Sequence, residues 1–78
     1  MRLLYIGPFY GINIDAISSI DYTMKPYIKI VVNGYKVYEL QYLDSNYDEY
    51  CNKLIEKIVD ETVKIVDMRD IKKEVEHL

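Results

Sequence analysis

Asp44-x-Asn46-x-Asp48 reproduces the opening of a calcium-binding loop, in which side-chain oxygens at alternate positions converge on a hard cation. The rest of the loop is missing. The sixth position, where the chain must turn sharply, is Glu49 instead of Gly, and the twelfth, which should supply a bidentate carboxylate, is Ile55. The same residues read more simply as helix-capping side chains. His77 and Cys51 are the single histidine and the single cysteine. A nucleophilic pair would need the two within hydrogen-bond reach, yet Cys51 falls on an apolar stripe, where a free thiol acts as a small buried hydrophobe. Zinc needs three or four ligands of this kind, more than the chain offers. Gly7-Pro8-Phe9-Tyr10-Gly11 lacks the Lys-Ser/Thr that completes a phosphate-binding loop and reads as a turn. Asp15, Asp21, Asp44, Asp48, Glu49, Asp60 and Glu61 are explained as solvated charge. The expectation is a protein without enzymatic activity, metal or cofactor.

The unusual number is nine tyrosines beside one phenylalanine and no tryptophan. Tyrosine combines a large apolar ring with a polar tip and is enriched at protein interfaces. Codon usage in an AT-rich genome would also raise Tyr, Ile, Lys and Asn. Tyr5, Tyr10, Tyr22, Tyr27, Tyr35 and Tyr38 offer rings on which a base could stack, with Lys25, Lys29 and Lys36 to neutralise phosphates. The net charge of −3, from 10 basic and 13 acidic residues, argues against direct binding to a nucleic-acid backbone. Asp44, Asp48, Glu49, Glu56 and Asp60 would instead allow an acidic surface that imitates nucleic acid before a basic protein.

These side chains belong to a chain of 78 residues, which bounds it to a single small domain, 1–78. Half of the residues are hydrophobic and 29% are charged, a globular composition. No apolar run approaches the roughly 20 residues that span a bilayer. Met1-Arg2 followed by Leu3-Leu4-Tyr5-Ile6 and broken by Gly7-Pro8 does not read as a signal peptide. With one cysteine and hence no internal disulfide, the expected location is the cytoplasm, away from membranes.

The strongest structural signal is Tyr27-Ile-Lys-Ile-Val-Val-Asn-Gly-Tyr-Lys-Val-Tyr-Glu-Leu40. Asn33-Gly34 between two β-branched and aromatic runs predicts a hairpin with a type I′ turn, which needs φ > 0 at both central residues. A two-residue turn pairs Val32 with Tyr35, Ile30 with Val37 and Ile28 with Glu39. The core face then carries Ile28, Ile30, Val32, Tyr35 and Val37. The opposite face carries Tyr27, Lys29, Val31, Lys36, Tyr38 and Leu40, too apolar for a face meant only for water. Tyr27, Val31, Lys36, Tyr38 and Leu40 are therefore the expected partner-binding residues.

Around the hairpin the predicted fold is α+β. Residues 1–43 form an antiparallel meander of four or five strands: Arg2–Ile6, Ile12–Asp15, a strand from Ser18 or Ser19, and the hairpin strands, with a turn at Thr23–Pro26. Residues 45–78 are helical. Asp44-Ser45-Asn46 and Ser45-x-x-Asp48 supply caps. Tyr47, Tyr50, Cys51, Leu54, Ile55, Ile58, Val59 and Thr62 recur at helical spacing and would cover the open sheet face. The favoured reading runs this helix from 45 to 66, with a break near Asp67-Met68 and a short final helix carrying Ile71, Val75 and Leu78. The alternative makes Thr62-Val-Lys-Ile-Val66 an edge strand, with Asp67 or Asp70 capping the last helix.

Ile14-Asp15-Ala16-Ile17-Ser18-Ser19-Ile20, Ile28-Lys29-Ile30-Val31-Val32-Asn33-Gly34-Tyr35-Lys36-Val37 and Leu54-Ile55-Glu56-Lys57-Ile58 resemble the small flagellar-regulator family called FlbD-like, over Ile12 to Val59. The resemblance implies a meander-plus-helix module without catalysis and transfers no site residues. In size and composition the chain also looks like the small inhibitors that phages direct at host defence systems. The expected function is a non-enzymatic protein-interaction module, homodimeric, that occupies a partner's surface. A nucleotide- or ligand-binding module and an acidic nucleic-acid mimic are the alternatives.

Overall fold

The computed structural model describes residues 1–7 and 10–77. The tip of the predicted Gly7–Gly11 turn and the placement of Leu78 on the last helical stripe lie outside them. The fold is α+β: strands β1 (Leu3–Gly7), β2 (Tyr10–Asn13), β3 (Ile17–Asp21), β4 (Tyr27–Val32) and β5 (Lys36–Gln41), helix α1 (Tyr47–Val59), strand β6 (Ile65–Asp67) and helix α2 (Met68–Glu76). No helix among the described residues is long and apolar enough to cross a membrane.

The strands do not make the single expected meander. They form two three-stranded sheets, ordered β2-β1-β6 and β3-β4-β5. The second strand starts earlier than predicted and ends at Asn13, because Ile14–Ala16 coil into a 3-10 turn. The Asn13 side chain accepts the Asp15 N–H at 3.0 Å and closes that turn. The chain then leaves β2, and β3 pairs antiparallel with β4 instead.

The favoured long helix is also corrected. α1 ends at Val59, and Ile65–Asp67 form a strand parallel to β1, pairing Leu3 with Ile65 and Leu4 with Val66. Asp60 carries extended backbone, and its carboxylate accepts the Thr62 N–H at 3.0 Å and hydroxyl at 2.7 Å. That local turn competes with helix continuation. The β-branched residues beyond it gain a ladder beside β1 that a helix would forgo. Asp67 then caps α2 as the alternative reading expected, accepting the Arg69 N–H at 2.9 Å. The sequence division into β and helical halves thus fails at β6.

The start of α1 is built differently from its expected cap. No side chain caps it. The Asn46 amide oxygen instead accepts the Tyr42 hydroxyl at 2.8 Å, and Asp48 pairs with Lys25 at 3.0 Å. Tyr47, Tyr50, Cys51 and Leu54 form the buried stripe, while Val59 is 69% exposed and Thr62 lies beyond the helix. The core joins Leu4, Ile12 and Val66 of the first sheet, Ile28, Ile30 and Val32 of the second, that stripe, and Met68, Ile71 and Val75 of α2. Fully buried side chains such as Leu54 and Ile71 each contribute about 1.5–3 kcal/mol of transfer free energy.

Candidate interaction surface

The hairpin turn has the expected backbone and an unexpected register. Asn33 and Gly34 both have positive φ, 54° and 79°. The Tyr35 N–H donates to the Val32 carbonyl at 3.2 Å. The strands, however, pair Val32 with Lys36, Val31 with Val37, Ile30 with Tyr38, Lys29 with Glu39 and Ile28 with Leu40. Tyr35 is an extra residue in the connection. A slip of one residue exchanges the faces of β5. The gain is plain: the predicted register sets Glu39 beside buried Ile28, whereas the observed one sets Leu40 there.

β3 holds the turn in place. The Asn33 N–H donates to the Ala16 carbonyl at 2.8 Å, and the Gly34 N–H donates to the Ser18 hydroxyl oxygen at 2.6 Å. Ser18 is the bulged residue where the β3–β4 register shifts between Ile17 and Ser19.

The expected partner-binding set is therefore divided. Tyr27 and Val31 lie on the outer face of β3-β4-β5. Lys36, Tyr38 and Leu40 lie on the inner face with Ile28, Ile30 and Val32. Tyr38 and Leu40 are half-buried against the core. The outer face gains Val37, Glu39 and Gln41, which the predicted register had divided differently. Across it runs a charged row in which Lys29 stands between Asp21 on β3 and Glu39 on β5. Beside it runs the row Ser19, Val31, Val37. A shallow cleft of about 340 Å³, lined by Asp21, Met24, Tyr27, Lys29 and Glu39, opens on the same face.

Both helices pack on the first sheet: α2 contacts β1 and β6, and α1 contacts β6 and α2. The outer face of β3-β4-β5 is left to solvent. Apart from the half-buried Val31, its side chains and those of the adjoining loop are exposed, with Met24 at 70%, Val37 at 53%, Tyr27 at 41% and Tyr22 at 38%.

On the inner side of β5, the Tyr10 and Tyr38 hydroxyls are hydrogen-bonded, with ring centroids 5.4 Å apart and tilted by 55°. The Lys36 ammonium stands 5.4 Å from the Tyr38 ring centroid. The bond from Tyr10 lowers the Tyr38 phenol below its ordinary value, helped by Lys36. No cleft frames this trio; the second cleft, of about 330 Å³, is lined by Lys25, Pro26, Tyr42, Leu43, Asp44, Ser45 and Tyr47.

The tyrosines and lysines considered for a nucleotide do not gather at one place. Lys36 joins Tyr10 and Tyr38, Lys29 neighbours Tyr27, and Lys25 lies 5.6 Å from the Tyr47 ring centroid. Of the acidic set, Asp48 and Glu56 are paired with Lys25 and Lys53, and Asp60 is held by Thr62. Cys51 is buried, which pushes its thiol up, whereas His77 is exposed at the end of α2. Among the described residues, no three His, Cys, Asp or Glu side chains converge as a metal site.

No family model matches the chain, and neither a curated protein nor a solved structure shows significant similarity to it.

Proposed function

We propose that the chain is a protein-interaction module that acts by occupying a partner's surface with the outer face of β3-β4-β5. The observation that carries this reading is the exposure of Met24, Tyr27 and Val37 around one solvent-facing sheet surface that neither helix covers. An aromatic and aliphatic patch with a charged row through it has the composition of a binding surface: apolar anchors for affinity, and Asp21, Lys29 and Glu39 for orientation. Catalysis finds less support. The hydrogen-bonded phenols Tyr10 and Tyr38 are open to water and sit in neither cleft.

Affinity capture from the native cell followed by calorimetric titration of the captured protein tests the reading. Tyr27→Glu places an unpaired charge in the centre of the patch and should weaken binding at least 30-fold, a hot-spot loss of about 2 kcal/mol. Glu76→Lys, on α2 and away from the patch, should bind like the parent. Equal affinity of Tyr27→Glu and the parent overturns the proposal.

A further inference from the structure

The free edges of the two sheets are not equivalent. β2 has 4 residues and β6 has 3. β3 is bulged at Ser18. β5 has 6 residues, contains no proline and pairs with β4 without a register shift. Short length, bulges, prolines and charged side chains are the usual devices that stop an edge from recruiting another strand. Among the described residues β5 is the long, regular edge that lacks the first three; its charges are Lys36 and Glu39.

The direction of its free groups follows from two bonds. The Tyr42 N–H donates to the Pro26 carbonyl, towards β4, and the Asn33 N–H donates to Ala16, towards β3. By the alternation of a strand, Lys36, Tyr38 and Leu40 use their backbone groups on β4. Val37 and Glu39 turn theirs to the open side.

We infer that this edge pairs with the same edge of a second copy of the chain, antiparallel, about a two-fold axis at Val37. The inference deepens the interaction-module reading by naming one partner. The charge pattern and the Lys36–Tyr38 pairing together favour this register. A two-fold axis at Glu39 would set Glu39 against its own copy, and like charges directly opposite are destabilising. An axis at Tyr38 sets Lys36 against Leu40 and Glu39 against Val37, leaving each charge beside hydrocarbon. An axis at Val37 sets Val37 against Val37, Lys36 against Tyr38 in both directions, and Glu39 against Tyr35. The Lys36 ammonium already stands over its own Tyr38 ring, so the cation–π partner across the axis is of the same kind. The pairing also covers Tyr35 and Val37, exposed by 77% and 53%. A two-fold interface of this kind is self-complementary by construction.

The interface is small, so association in the range of tens to hundreds of micromolar, roughly, is expected. Sedimentation of the full chain over that range should approach twice the chain mass of 9.3 kDa. Val37→Lys and Val37→Glu should each sediment as one chain, since like charges then meet on the axis. Their equimolar mixture should recover the doubled mass, because lysine then faces glutamate. On the parent itself, hydrogen exchange at the Val37 amide should slow with concentration while the Gln41 amide, beyond the overlap, stays unchanged.

A parent that remains one chain throughout overturns the inference, as does a Val37→Lys variant that still doubles. So does a mixture that fails to reassociate, or a Val37 amide indifferent to concentration. A monomeric parent leaves the Tyr27→Glu titration intact, so loss of self-pairing is distinguishable from loss of partner binding.

Discussion

The Arg2 guanidinium donates to the Ile58 carbonyl at 2.8 Å, across 56 positions of sequence. The same group reaches the Lys57, Asp60 and Val63 carbonyls at 3.2, 2.8 and 2.8 Å. The end of α1 and the turn that follows are thus capped by a side chain from the residue before β1. A helix leaves its last carbonyls without partners and carries partial negative charge there, so a cation fits on both counts.

Arg2→Met should therefore lower the unfolding free energy by about 2 kcal/mol, the scale of bonds to a charged group. Lysine should recover less than half, since one ammonium cannot reproduce the guanidinium fork. Urea titration checks both variants. A stability equal to the parent's would show that the cap is ornamental.

Tyr47 ties the start of α1 to the second sheet. Its hydroxyl lies 2.5 Å from the Tyr27 carbonyl and 2.9 Å from the Tyr22 carbonyl, with one proton to share between them. Tyr47→Phe should cost about 1–2 kcal/mol. Burial pushes this phenol up to about 12, above the ordinary value of about 10. An acid whose folded-state value is raised stabilises fully below the unfolded value and loses that contribution as pH rises past it. Thermal melts of the parent should therefore fall from pH ~10 towards 12. Tyr47→Phe should show a shallower fall; identical slopes would remove Tyr47 as the cause.

Asp67 begins α2. Its side chain accepts the Arg69 N–H and pairs with the Arg69 guanidinium at 2.7 Å. Asp67→Ala should cost about 1 kcal/mol, as loss of an N-cap does. The Arg69 bonds hold the carboxyl below its ordinary value. Its contribution is then complete above the unfolded value of about 4 and is lost as pH falls through the lower folded value. Asp67→Asn keeps an acceptor for the Arg69 N–H. Compared with the parent between pH ~5 and 2, it should lose less stability on acidification. A parent and variant that respond alike to acid would argue against this cap as a titrating element.

What could be read from the residues alone was local. Asn33-Gly34 announced its positive φ angles because few other residue pairs adopt them cheaply. A β-branched run marked β4, an apolar run marked most of β1, and helical spacing marked Tyr47, Tyr50, Cys51 and Leu54, because each pattern follows from the geometry of one element. The Asp67 cap was legible only within the alternative reading, where Asp70 was offered beside it. The candidate surface was half legible: Tyr27 and Val31 stand on the outer face, but Val37 replaces Lys36, Tyr38 and Leu40 there.

Tertiary structure decided the rest. A turn of the right type can still close with one more residue, and only the surrounding packing chooses between Leu40 and Glu39 beside Ile28. Residues 62–66 satisfy a helical stripe as well as a strand; the backbone of β1 made the strand the better outcome by offering a ladder. The division into two sheets rests on the turn at Ile14–Ala16 and on which strand β3 meets next. Those are contacts between residues far apart in sequence, and no local preference of either partner encodes them.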